Sequence, residues 1–259
     1  VLVHRGFYQE NLLIDKSITL TSHAIYDNLT DSESWIEYDT NIFEWQVSND
    51  NIVQTIIDGS SPSSDIGSCI LVYNEDDCIA PTIIGFTIQN GIGTQVIRDP
   101  NVSSCVDENN DEFEEEECQI PQYCEWAEGQ CNELPQTLGG GILAGVSEPI
   151  IKYNQFKDNG SNDVHSGGGM YLSTEPEDFG FDNRDISRAR CDIEEYDLSN
   201  NFYNNNEALY GNTLANRYFE ESFDMSGSIF DVANCQTNEI SLFEESSLPI
   251  GTSSKARLG

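Results

Sequence analysis

Positive charge is what this chain has least of: 11 lysines and arginines stand against 46 aspartates and glutamates, a formal net charge of −35 at pH 7. Such a surface repels DNA, RNA and anionic membranes, so nucleic acid is excluded as a partner. It also repels itself, a stress that divalent cations or high salt relieve, which points to a saline or calcium-containing setting. There is no run of about 20 apolar residues, so no direct membrane insertion by a helix is expected. No signal-peptide pattern opens the chain, which reads as a mature product. No cysteines are paired at the close spacing of a zinc site. The run Gly139-Gly140-Gly141 is not a phosphate-binding loop, because neither a helical pattern nor a placed lysine or serine follows it.

Repetition is what the chain does have. Thr55-Ile56-Ile57-Asp58-Gly59 is echoed one step later by Thr82-Ile83-Ile84-Gly85-Phe86, with the apolar pair in the same place. Ile151 to Asn159 returns as Leu198 to Asn205 in the frame Asn-x-Phe-x-x-Asn, which stacks Asn154 over Asn200 and Asn159 over Asn205. Asparagine suits such a ladder because it tolerates left-handed turns and hydrogen-bonds along a stack; an amide row that binds glycans is the functional alternative. Met225 to Phe230 follows Leu198 by the same step, and Gly139-Gly140-Gly141-Ile142-Leu143 returns after nearly the same interval as Gly167-Gly168-Gly169-Met170-Tyr171. Glycine there allows a tight corner or a close approach of backbones. Surplus steps mark a Cys-rich acidic insertion at about 94–137 and a polar one at about 174–190. A fixed step within the range of about 20–50 residues, carried by short alternating strands, is the mark of a solenoid. It predicts one elongated domain over 1–247 and an irregular tail over 248–259.

The opening Val1, Val3, Gly6, Tyr8, Glu10, Asn11, Leu12, Ile14, Lys16, Ile18, Thr19 and Leu20 resembles the first coil of the pectin-lyase-like superfamily, with Phe7 where that family often has threonine. The resemblance implies an all-β fold, a right-handed parallel β-helix solenoid with loop insertions. It implies no single activity, since such helices serve as lyases, hydrolases, epimerases, adhesins and passive scaffolds. Members of that family usually carry a cap ahead of this opening, because an exposed coil offers unpaired backbone groups. This chain is expected to begin inside its first coil, with a neighbouring copy as one candidate cover and a homo-oligomer through open coil ends as the consequence.

The eight cysteines, Cys69, Cys78, Cys105, Cys118, Cys124, Cys131, Cys191 and Cys235, read as disulfide candidates and place the chain outside the cell or on its surface. Connectivity is not deducible from spacing, although Cys69 and Cys78 flank one strand and a turn and could close locally. In the acidic insertion Asp107, Asn109 and Asp111 match the first spacings of an EF-hand loop, but Glu112 replaces the glycine and Cys118 the final glutamate. A solvated acidic loop pinned by disulfides and a loosely defined Ca2+ site both remain open. Asn28, Asn101 and Asn159 begin glycosylation sequons.

From Tyr26 to Asn51 the pattern loosens, and Trp35, Phe43 and Trp45 sit in a segment expected to fold back over the wall. They either cover the first coil's core or stack on sugar rings. A lyase on this fold would need a cation or metal beside a proton-abstracting base. The candidates are Lys152, Lys157, His165, Arg184, Arg188 and Arg190, and strand alternation puts Lys152 or Tyr153 on the outer wall, not both. A hydrolase would need carboxylates on one wall; Asp58, Asp158 and Asp197 occur in the repeats, but Asp58 and Asp158 occupy different frame positions. No catalytic residue is nominated. The expectation is a secreted, non-enzymatic β-helix acting as a structural or adhesive element, self-assembling end to end. The rival is a polysaccharide lyase or hydrolase, or a glycan-binding module, with a groove lined by Trp35, Trp45, Tyr153 or Tyr203.

Overall fold

The computed structural model describes residues 1–31, 34–62, 66–74, 77–96, 124–127, 130–133, 135–173, 191, 195–217, 222–230 and 240–243. Its strands are short and dominated by parallel pairing, so the class is all-β. The chain passes repeatedly through three sheets in the same order. The first holds Leu2–Val3, Thr19–Ser22, Thr82–Ile84 and Ile150–Lys152; the parallel pair Glu195–Asp197 and Ser222–Asp224 continues this position in the later passes. The second holds Gly6–Gln9, Thr55–Asp58, Thr87–Gln89, Gln155–Lys157, Phe202–Asn204 and Ile229–Phe230. The third holds Leu12–Ile14, Ile70–Val72, Ile142–Gly145, Met170–Ser173, Leu214–Arg217 and Ile240–Phe243.

Alternation explains why these residues make such strands. Within each, the inward position carries a β-branched, aromatic or long aliphatic side chain that stacks on its counterpart one pass away, about 4.8 Å along the sheet. In the second sheet the inward row is Tyr8, Ile57, Ile88, Phe156, Tyr203 and Phe230. Its last three rings lie parallel, with centroids 5.2 Å apart in both pairs. Each such contact contributes roughly 0.5–1.5 kcal/mol beyond the area it buries. Leu20, Ile83 and Ile151 form the row of the first sheet, and Ile70, Ile142, Met170 and Leu214 belong to that of the third. These rows meet in one continuous apolar core.

The glycine repeat holds as expected: Ile142 pairs with Met170 and Leu143 with Tyr171, one pass further on. Both anticipated uses of glycine occur. Gly139, Gly167 and Gly211 have φ of 60°, 72° and 66°, while a Cβ on Gly140 would lie 2.3 Å from the Gly168 carbonyl oxygen.

The match of Thr55–Gly59 with Thr82–Phe86 does not hold, because it joins two different sheets. Thr82 pairs with Thr19 and Ile83 with Leu20, whereas Ile57 pairs with Ile88. Strands of both sheets bury one isoleucine in a Thr-Ile-Ile setting, so they look alike in sequence. Segment 23–54 intervenes between the first and second sheets in one pass and lengthens that step without disturbing the register, since surface connections vary in length at little cost.

Two further strand pairs are antiparallel, and the first is built into the stack, since Val96 and Leu138 lie in the main core. Thr94–Val96 pairs with Gln136–Leu138, bringing together the two ends of the acidic segment, and Cys124–Ala127 pairs with Gln130–Glu133 inside it. Asp107, Asn109, Asp111, Cys105, Cys118, Cys235, Arg184, Arg188, Arg190 and the tail 248–259 lie outside the described residues.

Candidate functional site

The most organised polar features of the molecule are two corners of the second sheet. At the corner that enters it, Gly85, Tyr153, Asn200 and Gly227 stand above one another with φ of 84°, 54°, 56° and 67°. A single left-handed residue turns the chain sharply between two strands, and glycine and asparagine reach that conformation most easily. The residue after it points inward. Asn154 accepts the Phe86 N–H at 3.0 Å, Asn201 accepts the Asn154 N–H at 3.0 Å, and Ser228 accepts the Asn201 N–H at 3.1 Å. The Asn154 amide also donates to the carbonyls of Ile83 and Lys152, and that of Asn201 to Ile151 and Leu198.

The corner that leaves the sheet repeats the device. Asn90, Asp158 and Asn205 are left-handed, with φ of 59°, 54° and 53°. Asn159 accepts the Gly91 N–H and Asn206 accepts the Asn159 N–H. The ladder therefore exists but is displaced from the expected one: Asn154 meets Asn201, not Asn200, and Asn159 meets Asn206, not Asn205. A slip of one residue exchanges every inward and outward side chain. The true register stacks the Phe156 ring on Tyr203, while Phe202 turns outward into a second cluster. Aligning Phe156 with Tyr203 in the sequence would have found Asn201 and Asn206.

The groups considered for catalysis are largely engaged within the scaffold. The Lys152 ammonium forms an ion pair with Asp197, both half-buried. Tyr153, left-handed, sets its ring edge-on to Trp35 at 5.7 Å. The side chains of Lys152 and Tyr153 thus both face away from the core, because the left-handed corner interrupts the strand alternation that would separate them. Burial pushes the Asp58 carboxyl up, but hydrogen bonds from Gln89, Ser60 and Asn90 outweigh this and hold it below its ordinary value. It remains a carboxylate and is no proton donor near neutral pH. Asp158 accepts from the Asn205 amide at 2.6 Å and lies 3.7 Å from the Lys157 ammonium. His165 shares a hydrogen bond with the Ser166 hydroxyl and packs against Tyr210.

The aromatic segment divides its residues between two uses. Trp35 is buried with Ala24, Leu29, Ile36, Val47, Ile52 and Phe202 in the second cluster. It covers the outside of the second sheet rather than the core of the first pass. On the hairpin Ile36–Asp39 and Glu44–Val47, Tyr38 faces Trp45 with ring centroids 5.3 Å apart and planes at 64°, and both are exposed together with Ile42 and Phe43. Of the four residues considered for a groove, Trp35 and Tyr203 are each 1% exposed and cannot line one, whereas Trp45 is exposed.

Cys78 is bonded to Cys191, not to Cys69, which is a free buried thiol. The Glu148 carboxylate lies near the two bonded sulfurs, but a disulfide has no thiolate to offer a metal. Backbone pairing sets Cys124 opposite Glu133 and Cys131 opposite Trp126. Cys69 Sγ donates to the Gln89 carbonyl, and burial pushes its thiol up to about 12 from about 9. Cys69 is therefore expected to resist iodoacetamide in the native protein and to react after urea unfolding, as read by peptide mapping. Because the folded value is the higher one, the neutral thiol supports folding fully below about pH 9. That support is lost as pH rises from about 9 to about 12, and Cys69→Ala is expected to remove this dependence.

Comparison with family models, curated proteins and solved structures finds no match to the chain.

Proposed function

We propose that the chain is a right-handed parallel β-helix and acts outside the cytoplasm as a non-enzymatic structural or adhesive surface. The observation that carries this reading is the fate of the corner amides: Asn154, Asn201, Asn159 and Asn206 are spent on holding successive passes together. A repeated corner built this way makes a stiff, extended wall. Right-handedness follows from the preference of parallel crossover connections, about 98% of which have that hand. The Cys78–Cys191 bond supports an oxidising compartment. The reading extends to self-assembly of copies end to end, by pairing of strand edges between copies.

A second reading, a glycan-binding module, is favoured by the exposed Tyr38–Trp45 pair. A glycan array and a reducing-end assay on polysaccharides separate the two. The structural reading expects no cleavage and no glycan binding that depends on the hairpin. Cleavage of any polysaccharide overturns it, and binding abolished by Trp45→Ala transfers the function to the second reading. Electron microscopy across a range of Ca2+ concentrations tests assembly, with filaments expected. A monodisperse monomer at every concentration removes that extension.

A further inference from the structure

Histidine is rare in this chain, 3 in 259 residues, and two of them meet. His4 follows the strand Leu2–Val3 and His23 follows Thr19–Ser22. The register Leu2 to Thr21 and Val3 to Ser22, carried on by one residue, sets His4 opposite His23. His4 Nδ1 lies 3.1 Å from His23 Nε2, with ring centroids 4.7 Å apart and planes at 38°. The backbone on both sides is fixed. The Tyr8 hydroxyl donates to the His4 carbonyl at 2.8 Å, and Ser22 caps the short 3-10 turn His23–Tyr26. Tyr26 flanks the His23 ring at 5.9 Å. Arg5, the nearest cation in sequence, is turned away to Asp50 and Asn51. The His4 ring is exposed and the His23 ring half-buried, so solvent reaches the pair.

We propose that His4 and His23 form a bis-imidazole site for a divalent first-row transition ion, Zn2+ or Cu2+. Neutral imidazole is the ligand type these ions favour, whereas Ca2+ and Mg2+ prefer oxygen. Two nitrogens bound to one ion at about 2.0–2.1 Å, at mutual angles of about 90–110°, stand about 2.8–3.4 Å apart. The 3.1 Å separation already falls within that interval. In the metal-free pair one ring donates its N–H to the lone pair of the other. On binding, the donating ring exchanges that proton through solvent for one on its other ring nitrogen, so both imidazoles stay neutral; both rings turn so that their lone pairs converge on the ion, and water fills the remaining positions. The ion ties two strands of the first sheet together, so it raises the melting temperature as its concentration rises. Acid competes with the ion for the same nitrogens and weakens binding.

The test is calorimetric titration of the intact chain with ZnCl2 and CuCl2 at about pH 7.5, with excess Mg2+ to occupy carboxylates, paired with NMR of the imidazole protons during the Zn2+ titration. The expected result is one ion per chain at this site, with His4 and His23 signals shifting and His165 signals fixed. His4→Gln and His23→Gln should each lower affinity at least about tenfold with an unchanged circular dichroism spectrum, and His165→Gln should not. Unchanged affinity in the His4→Gln, His23→Gln double variant overturns the proposal, as does binding that leaves both imidazoles unshifted. Both results would assign the ions to carboxylates.

Discussion

Asn201→Ala is expected to lower the free energy of unfolding in urea by about 3–5 kcal/mol, while its neighbour Asn200→Gly changes it by only a few tenths. Asn201 is fully buried, and its side chain serves three backbone groups: it accepts the Asn154 N–H and donates to the carbonyls of Ile151 and Leu198 at 2.7 and 2.8 Å. Alanine leaves all three without that partner inside the stack. An orphaned buried group costs about 1–3 kcal/mol, and partial relaxation keeps the sum below the maximum. Asn200 occupies the left-handed corner at φ 56°, a conformation glycine adopts without strain. The pair of variants measures the register directly. A larger loss at Asn200 than at Asn201 would show that Asn154 rests on Asn200 and that the register is the one expected from the Asn-x-Phe frame.

Replacing Cys78 and Cys191 together by alanine is expected to cost about 4–5 kcal/mol, read as a fall in the urea midpoint. The bond closes a loop of 113 residues, and the chain entropy it removes from the unfolded state grows with loop length. That loop contains both the 94–137 and the 174–190 segments, which would otherwise add freedom to the unfolded chain. Cys78 lies just ahead of the strand Thr82–Ile84 and Cys191 just ahead of Glu195–Asp197, so the bond also ties together separate passes at the first-sheet position. Proteolytic mapping without reduction should yield a peptide joining Cys78 to Cys191. A peptide joining Cys69 to Cys78 would refute this pairing and reduce the expected loss, because the loop it closes is short.

How far the fold could be read differs from one stretch to the next for identifiable reasons. Gly139 to Leu143 and its echo at Gly167 to Tyr171 were legible because no insertion separates them and triple glycine has one alignment only. The asparagine ladder was legible as a device but not in register. Asn200-Asn201 and Phe202-Tyr203 are doublets, so two adjacent frames both offer an amide and an aromatic ring at the required places. Ring stacking of Phe156 on Tyr203, together with the left-handed turn at Asn200, selects one frame. The aromatic segment was recognisable as something that folds back. Which ring is buried depends on what it meets, and Trp35 meets Tyr153 and Phe202 from distant parts of the chain.

The sequence by itself determined the all-β class, the glycine corners and the presence of asparagines that hydrogen-bond from pass to pass. These are properties of local alternation and of residue chemistry, and they survive in one dimension. Only the tertiary structure decided that Thr55 and Thr82 belong to different sheets, that Asn154 rests on Asn201, that Cys78 reaches Cys191, and that His4 lies against His23. Each of these is a match between passes that are neighbours in space and 19 to 113 residues apart in sequence. Such matches are set by satisfying hydrogen bonds and ring contacts on both passes at once. No spacing within a single pass encodes that condition.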